Sequence, residues 1–242
     1  MGAEGGPFVA HLSRLRRLER SPPANWLPED AVIARHLVER DSRLRYREPR
    51  YQLQLIKDLA GLLPAGRCRL LDVGAGSGLI GETIEAFFPG KTVTGVDIAP
   101  SALPNLRIPL VRFDGSRIPF SDHSFDCALF CNVLHHVKPE VRARLLREAL
   151  RVTGGGPLVI KDHLSATPLD GLRLWLLDVM GNAPRGAMIS ARYLGEPQWE
   201  ALLHELKCTG EVLPVSAYRS GVADWCFPNR LEICLRIDCQ SD

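Results

Sequence analysis

The sequence predicts an α/β fold: a doubly wound, mostly parallel seven-stranded sheet with an antiparallel closing strand, an N-terminal helical cap and an insert after the fifth strand. Three observations carry this. From Arg67 onward short apolar runs alternate with amphipathic helical patterns, the signature of βαβ units. The first run ends in a glycine-rich turn, "DVGAGSG", that opens a helix. The chain has 242 residues, 45% hydrophobic and 24% charged, enough to bury one large core.

Residues 1–50 form the expected cap. Phe8 to about Tyr46 reads as helix, with Leu12, Leu15 and Leu18 near one face and Arg14, Arg17 and Arg20 around the rest, until "SPPANWLPED" breaks it. A basic amphipathic helix can lie on a membrane surface. Here the apolar stripe is narrow and Glu19 interrupts the charge, which favours packing on the main domain, residues 51–242.

In that domain "CRLLDV", "KTVTGVD", "IPLVRF", "FDCALFC" and "PLVIKD" read as strands. Between them "LIGETIEAFF" and "PEVRARLLREALRV" are two-faced helices. An insert over 164–196, rich in Leu, Met, Trp175 and Tyr193, interrupts the alternation. A short helix near Gln198 to Leu206 follows it, and "KCTGEVLPVSAY" with "NRLEICLRID" form a closing antiparallel pair.

Composition narrows the function. A net charge of +2 provides no field for gathering polyanions, so nucleic acid is a poor partner. The seven cysteines form no CxxC pair and read as buried hydrophobes or surface thiols in a reducing compartment. With no paired thiols and no compact carboxylate cluster, no metal is expected. The N-terminus lacks an apolar signal core and no window is long enough to span a bilayer, which points to the cytoplasm without stable membrane insertion.

The glycines of the turn fit two ligands. Gly76, Gly78 and Gly81 spell the GxGxxG of dinucleotide binding, and Asp97 at the end of the second strand can accept ribose hydroxyls, as in NAD-dependent oxidoreductases. Gly74, Gly76 and Gly78 instead alternate after Asp72. A carboxylate before the first glycine suits a ligand carrying an ammonium or sulfonium and repels a pyrophosphate. S-adenosylmethionine is such a ligand. Asp114 after the third strand can accept from an adenine amino group, with Gly115 letting the ring approach, and the fourth strand ends at Asn132 on the carboxyl edge.

Taken in order, "LLDVGAGSG", "VTGVDIAP", "RFDGSRIPFSDHSFDCALFCNVLHHV" and "RVTGGGPLVIKD" resemble the class I S-adenosylmethionine-dependent methyltransferases. The likeness is to their small-molecule branch, which includes the C-methyltransferases of quinone biosynthesis. It covers about Leu70 to Asp162 and implies a Rossmann-like fold with S-adenosylmethionine as cofactor. By this resemblance Asp72, Gly74, Gly76 and Gly78 hold the methionine end, Asp97 the ribose and Asp114 the adenine amine. Ile98 and Gly115 line the adenine, and Asn132 with Val133 borders the methionyl group.

Methyl transfer from a sulfonium has an activated leaving group, so alignment does most of the work and a general base helps where the acceptor must lose a proton. His163, in "IKDHL", is the first candidate because it opens the insert and sits beside Asp162; His135 and His136 are the others. As a lid the insert would present Trp175, Met180 and Tyr193 to a small, apolar or aromatic acceptor, methylated on oxygen, carbon or nitrogen. The same apolar stripe could instead pack on the sheet or on a second subunit of a homodimer. A non-catalytic S-adenosylmethionine-binding subunit is the remaining alternative, and "NVLH" standing where amino-methylating enzymes carry N-P-P-[FY] argues against nucleic-acid bases and protein amides as acceptors.

Overall fold

A computed structural model describes residues 14–18, 25–46, 49–182, 190–215 and 217–239. Its strands are β1 (Leu15–Arg17), β2 (Cys68–Val73), β3 (Lys91–Asp97), β4 (Leu110–Arg112), β5 (Cys127–Cys131), β6 (Leu158–His163), β7 (Cys208–Leu213) and β8 (Glu232–Cys239). Its helices are α1 (Asp30–Arg40), α2 (Arg50–Ala60), α3 (Leu79–Phe87), α4 (Pro139–Thr153), α5 (Pro168–Asn182), α6 (Glu196–Leu206) and α7 (Val222–Cys226).

The strands form one sheet in the order β1-β7-β8-β6-β5-β2-β3-β4. Only β8 runs against its neighbours, β6 and β7. Side chains alternate along a strand, and this divides the core in two. Leu70, Leu129 and Val159 face the helices α1 to α3 with Ile33, Ile56 and Ile84, whereas Leu71, Phe130 and Ile160 face α4 and α6 with Leu146, Trp199 and Leu203. Burial on both faces explains why β5 reads as an unbroken apolar run. Because β2 to β6 all run parallel, the turns after them open at the carboxyl edge, where ligands bind in such sheets.

Two expectations need correcting. The helix expected from Phe8 is absent at Leu15–Arg17, which instead adds an eighth, parallel strand beside β7; Leu12 and Arg20 lie outside the described residues. The open edge of β7 offers backbone partners, and the Gly210 N–H donates to the Arg14 carbonyl at 2.7 Å. The Glu200 carboxylate takes the N–H groups of Arg14 and Leu15 at 3.0 and 3.1 Å. Ladder pairing outweighs a short helical periodicity, so the basic face never forms there. The cysteines are not all thiols either. Cys208 and Cys239 stand directly opposite across β7 and β8 and are joined as a disulfide. Their 31-residue separation offered no signal in the sequence.

Candidate active site

The turn after β2 is built for close approach. Gly74, Gly76 and Gly78 all have positive φ (75°, 56° and 79°), and Gly78 caps α3. A Cβ on Gly74 would fall 2.5 Å from Val133 Cγ2, so a side chain there would push apart the turns after β2 and β5. A Cβ on Gly76 would meet nothing within 4 Å, which marks that face of the turn as open.

Beneath the turn Asp72 is buried, at 2% exposure. Among the described residues no basic side chain pairs with it. Burial, reinforced by the nearby charge of Asp97, pushes its carboxyl up to about 7. A buried carboxylate lacking a counter-charge is what a cationic ligand would complete. Gly81, the last glycine of GxGxxG, has a packing role: a Cβ there would lie 2.7 Å from Ile108 Cδ1 and 3.1 Å from Asp72 Oδ2.

Asp97, at the end of β3, accepts the Gly76 N–H at 2.8 Å and the Ala99 N–H at 2.7 Å, and so ties the glycine turn to the next strand. Ile98 is exposed, and a Cβ on Gly115 would come within 3.2 Å of Ile98 Cγ2, so these two residues adjoin as an adenine-lining pair requires. Asp114 caps its own loop, accepting from the Ser116 N–H (2.7 Å), the Ser116 hydroxyl (2.6 Å) and the Arg117 N–H (3.0 Å). Those bonds hold its carboxyl down at about 2.

Asn132 leaves β5 with φ 55°, donating its N–H to the Lys161 carbonyl (2.8 Å) and its side-chain amide to Tyr51 Oη (2.5 Å). Its Oδ1 is buried and has no hydrogen-bond partner among the described residues. Three residues on, at His135, the three candidate histidines begin to converge. The ring centroid of His135 is 4.0 Å from that of His136 and 4.9 Å from that of His163. Tyr193 stacks on His135 at 5.5 Å and donates its hydroxyl to Asp178 Oδ2 at 2.5 Å.

Asp162 serves a different histidine from the one expected. Its Oδ1 binds His135 Nδ1, its Oδ2 takes the Leu134 N–H at 2.9 Å, and the His163 ring lies instead 3.2 Å from Glu232. Strand alternation explains this: Lys161 and His163 share a face of β6, and the antiparallel register sets Glu232 opposite His163. Lys161 forms a fully buried ion pair with Glu232 and lies 3.1 Å from Tyr51 Oη. Burial alone would lower the Lys161 ammonium and raise the Glu232 carboxyl, but their mutual attraction reverses both shifts. The same competition leaves Asp162 at about 2, its burial outweighed by His135.

Asp178, Glu232, Lys161 and Tyr51 are thus site residues that sequence reading missed. Polar residues inside the apolar run "LVIKDH" were the available signal, whereas Asp178 and Glu232 reach the site only through tertiary register. In the insert, Leu174 is buried, while Leu169, Leu172, Trp175, Leu176 and Met180 each remain 40–53% exposed along α5.

A methyltransferase-domain family profile matches residues 71–160. An uncharacterized methyltransferase of Mycolicibacterium vanbaalenii is 32% identical over 137 residues, covering 53% of this chain and 52% of its own length. One of Mycobacterium tuberculosis is 30% identical over 177 residues, 64% of this chain and 65% of that protein. The chain therefore spans about half to two thirds of the length of these relatives. Among solved structures, an S-adenosylmethionine-dependent methyltransferase from Methanosarcina mazei superposes with a TM-score of 0.55 at 20% identity, covering 76% of this chain and 97% of that one. No helix among the described residues is long and apolar enough to cross a membrane.

Proposed function

Since the chain carries a class I S-adenosylmethionine-dependent methyltransferase domain, we propose that it transfers the methyl group of that cofactor to a small, apolar or aromatic acceptor. The observation carrying this is Asp72: a buried carboxylate without a basic partner, beneath an open glycine turn, matched to a cation. The same carboxylate disfavours NAD, whose diphosphate would add negative charge to the turn.

S-adenosylmethionine, when bound, supplies an electrophilic methyl on a positively charged sulfur. Asp72, Gly74, Gly76 and Gly78 would hold its methionine end, Asp97 the ribose and Asp114 the adenine amine, with Ile98 and Gly115 against the ring. Asn132 and Val133 would border its methionyl group, and the Asn132 Oδ1, unpartnered among the described residues, is available to a ligand N–H.

On the acceptor side His163 is the proposed general base, positioned by Glu232 at Nδ1. The acceptor proton would pass to its Nε2. The exposed apolar face of α5, with Trp175 and Met180, fits an insert over 164–196 that shields an apolar acceptor from water. Tyr193 and His135 would form the floor beneath it. Residues 1–50 would form an N-terminal cap on the domain.

Two measurements test this reading. Mass spectrometry of the protein as purified should find retained S-adenosylhomocysteine; nicotinamide dinucleotide in its place would overturn it. Once a screen of apolar and phenolic acceptors yields a methylated product, His163→Ala should lower turnover by about 10²-fold or more while cofactor affinity stays within about twofold. Unchanged turnover would remove His163 as the base.

A further inference from the structure

We propose that His135, His136 and Asp178 bind one divalent transition-metal ion of the zinc class. One donor atom from each of the three lies within 4.8 Å of the others. Each imidazole is already oriented as a ligand would be. His135 Nδ1 is engaged by Asp162, and His136 Nδ1 lies 2.9 Å from the Ser190 carbonyl, which accepts its proton. Both rings are thereby left with the Nε2 lone pair free. A carboxylate or carbonyl behind a ligating histidine is the usual outer support of a metal site.

A second observation points to a ligand. His135 is 1% exposed, and its buried Nε2 has no hydrogen-bond partner among the described residues, facing Asp178 Oδ2 at 3.5 Å. An imidazole nitrogen and a carboxylate oxygen held this close in a buried cleft call for a cation between them, a proton or a metal ion. Ligands of tetrahedral zinc at about 2.0–2.1 Å from the metal stand roughly 3.3 Å apart, close to this spacing. Two imidazoles with a single carboxylate suit zinc or ferrous iron; calcium and magnesium want more oxygens. The Tyr193 hydroxyl donates to the same Asp178 Oδ2 at 2.5 Å and fixes the carboxylate in place. Three protein ligands leave one coordination position for an oxygen of a bound molecule. The ion would also fasten α5 to the turn after β5. The site stands whether or not methyl transfer is the reaction.

The test uses the full chain, free of any histidine tag, stripped with chelator and titrated with Zn²⁺ by calorimetry and with Co²⁺ by visible absorption. The expected result is one equivalent of zinc, bound with a Kd below about 1 μM, and a cobalt spectrum of tetrahedral intensity. His136→Gln and Asp178→Asn should each weaken binding at least tenfold, with the metal-free melting temperature of the half-exposed His136→Gln variant unchanged. No binding up to about 100 μM zinc, or equal affinity in His136→Gln, would overturn the site and leave a shared proton between His135 and Asp178 as the occupant. Titration of the same metal-free protein with S-adenosylmethionine reports separately on the cofactor site.

Discussion

Asp72 carries its charge where nothing in the described protein neutralises it, and this has consequences for stability and for binding. Its folded value of about 7 lies above the value of an unfolded carboxyl near 3.8. The native state therefore holds the extra proton between pH 4 and 7, and stability contributed by that proton is lost as pH rises through 7. Asp72→Asn keeps the shape and removes the titration. We expect the cofactor-free variant to be more stable than the parent by roughly 2–4 kcal/mol at pH 8, with the gap closing toward pH 4 in urea titrations. The variant should at the same time lose at least tenfold in S-adenosylmethionine affinity. A less stable variant at pH 8 would mean that Asp72 already has a favourable partner. Asp72 was legible because it precedes the glycines; its burial was not, since depth beneath α3 depends on packing that Gly81 permits.

The turns after β2 and β5 meet through Gly74 and Val133, and their separation sets the floor of the cofactor cleft. Gly74→Ala should destabilise by about 1–3 kcal/mol, partly from the positive φ and partly from the collision with Val133. Val133→Ala in the same chain should restore the steric part alone, giving a coupling of about 0.5–2 kcal/mol in a double-mutant cycle of urea unfolding. Additive effects would show that the turns move independently. At the start of α5, Asp170 holds Arg230 through two bonds of 2.8 and 2.9 Å and caps the Thr167 N–H at 3.1 Å. These keep its carboxyl at about 2, below the ordinary value. The stabilisation is therefore present above pH 4 and lost as pH falls toward 2. Asp170→Asn should cost about 1.5–3 kcal/mol at pH 7 and progressively less in acid unfolding measured below pH 4. A deficit that persists at pH 2 would locate the loss in packing rather than charge.

Across the whole molecule, what could be read in advance was what depends on neighbours in the chain. "CRLLDV" and "KTVTGVD" coincide with β2 and β3, and "LIGETIEAFF" overlaps α3, because the apolar period and the glycine punctuation are local signals. The proposed cofactor side rests on the order of acidic residues along successive strand ends, which is a local signal too. The edge strand β1, the disulfide between Cys208 and Cys239, and the partners Asp178 and Glu232 could not be read that way, since each depends on which distant elements become adjacent. The histidines fall between these cases: their position near the carboxyl ends of β5 and β6 was evident, although His163 closes β6 rather than following it, and their convergence under Tyr193 was not. A ligand that binds only the folded chain raises its stability, by about 2.7 kcal/mol at a concentration of 100 Kd, so S-adenosylmethionine at that concentration should raise the melting temperature of the parent at least about twice as far as that of Asp72→Asn. The most direct test is calorimetric titration of S-adenosylmethionine at pH 7 in two buffers of different ionisation enthalpy. A sulfonium and ammonium settling near Asp72 should expel the proton it holds, releasing about half a proton per site, and NADH should give no heat. Tight NADH binding, or S-adenosylmethionine binding with no proton released and equal strength in Asp72→Asn, would contradict it.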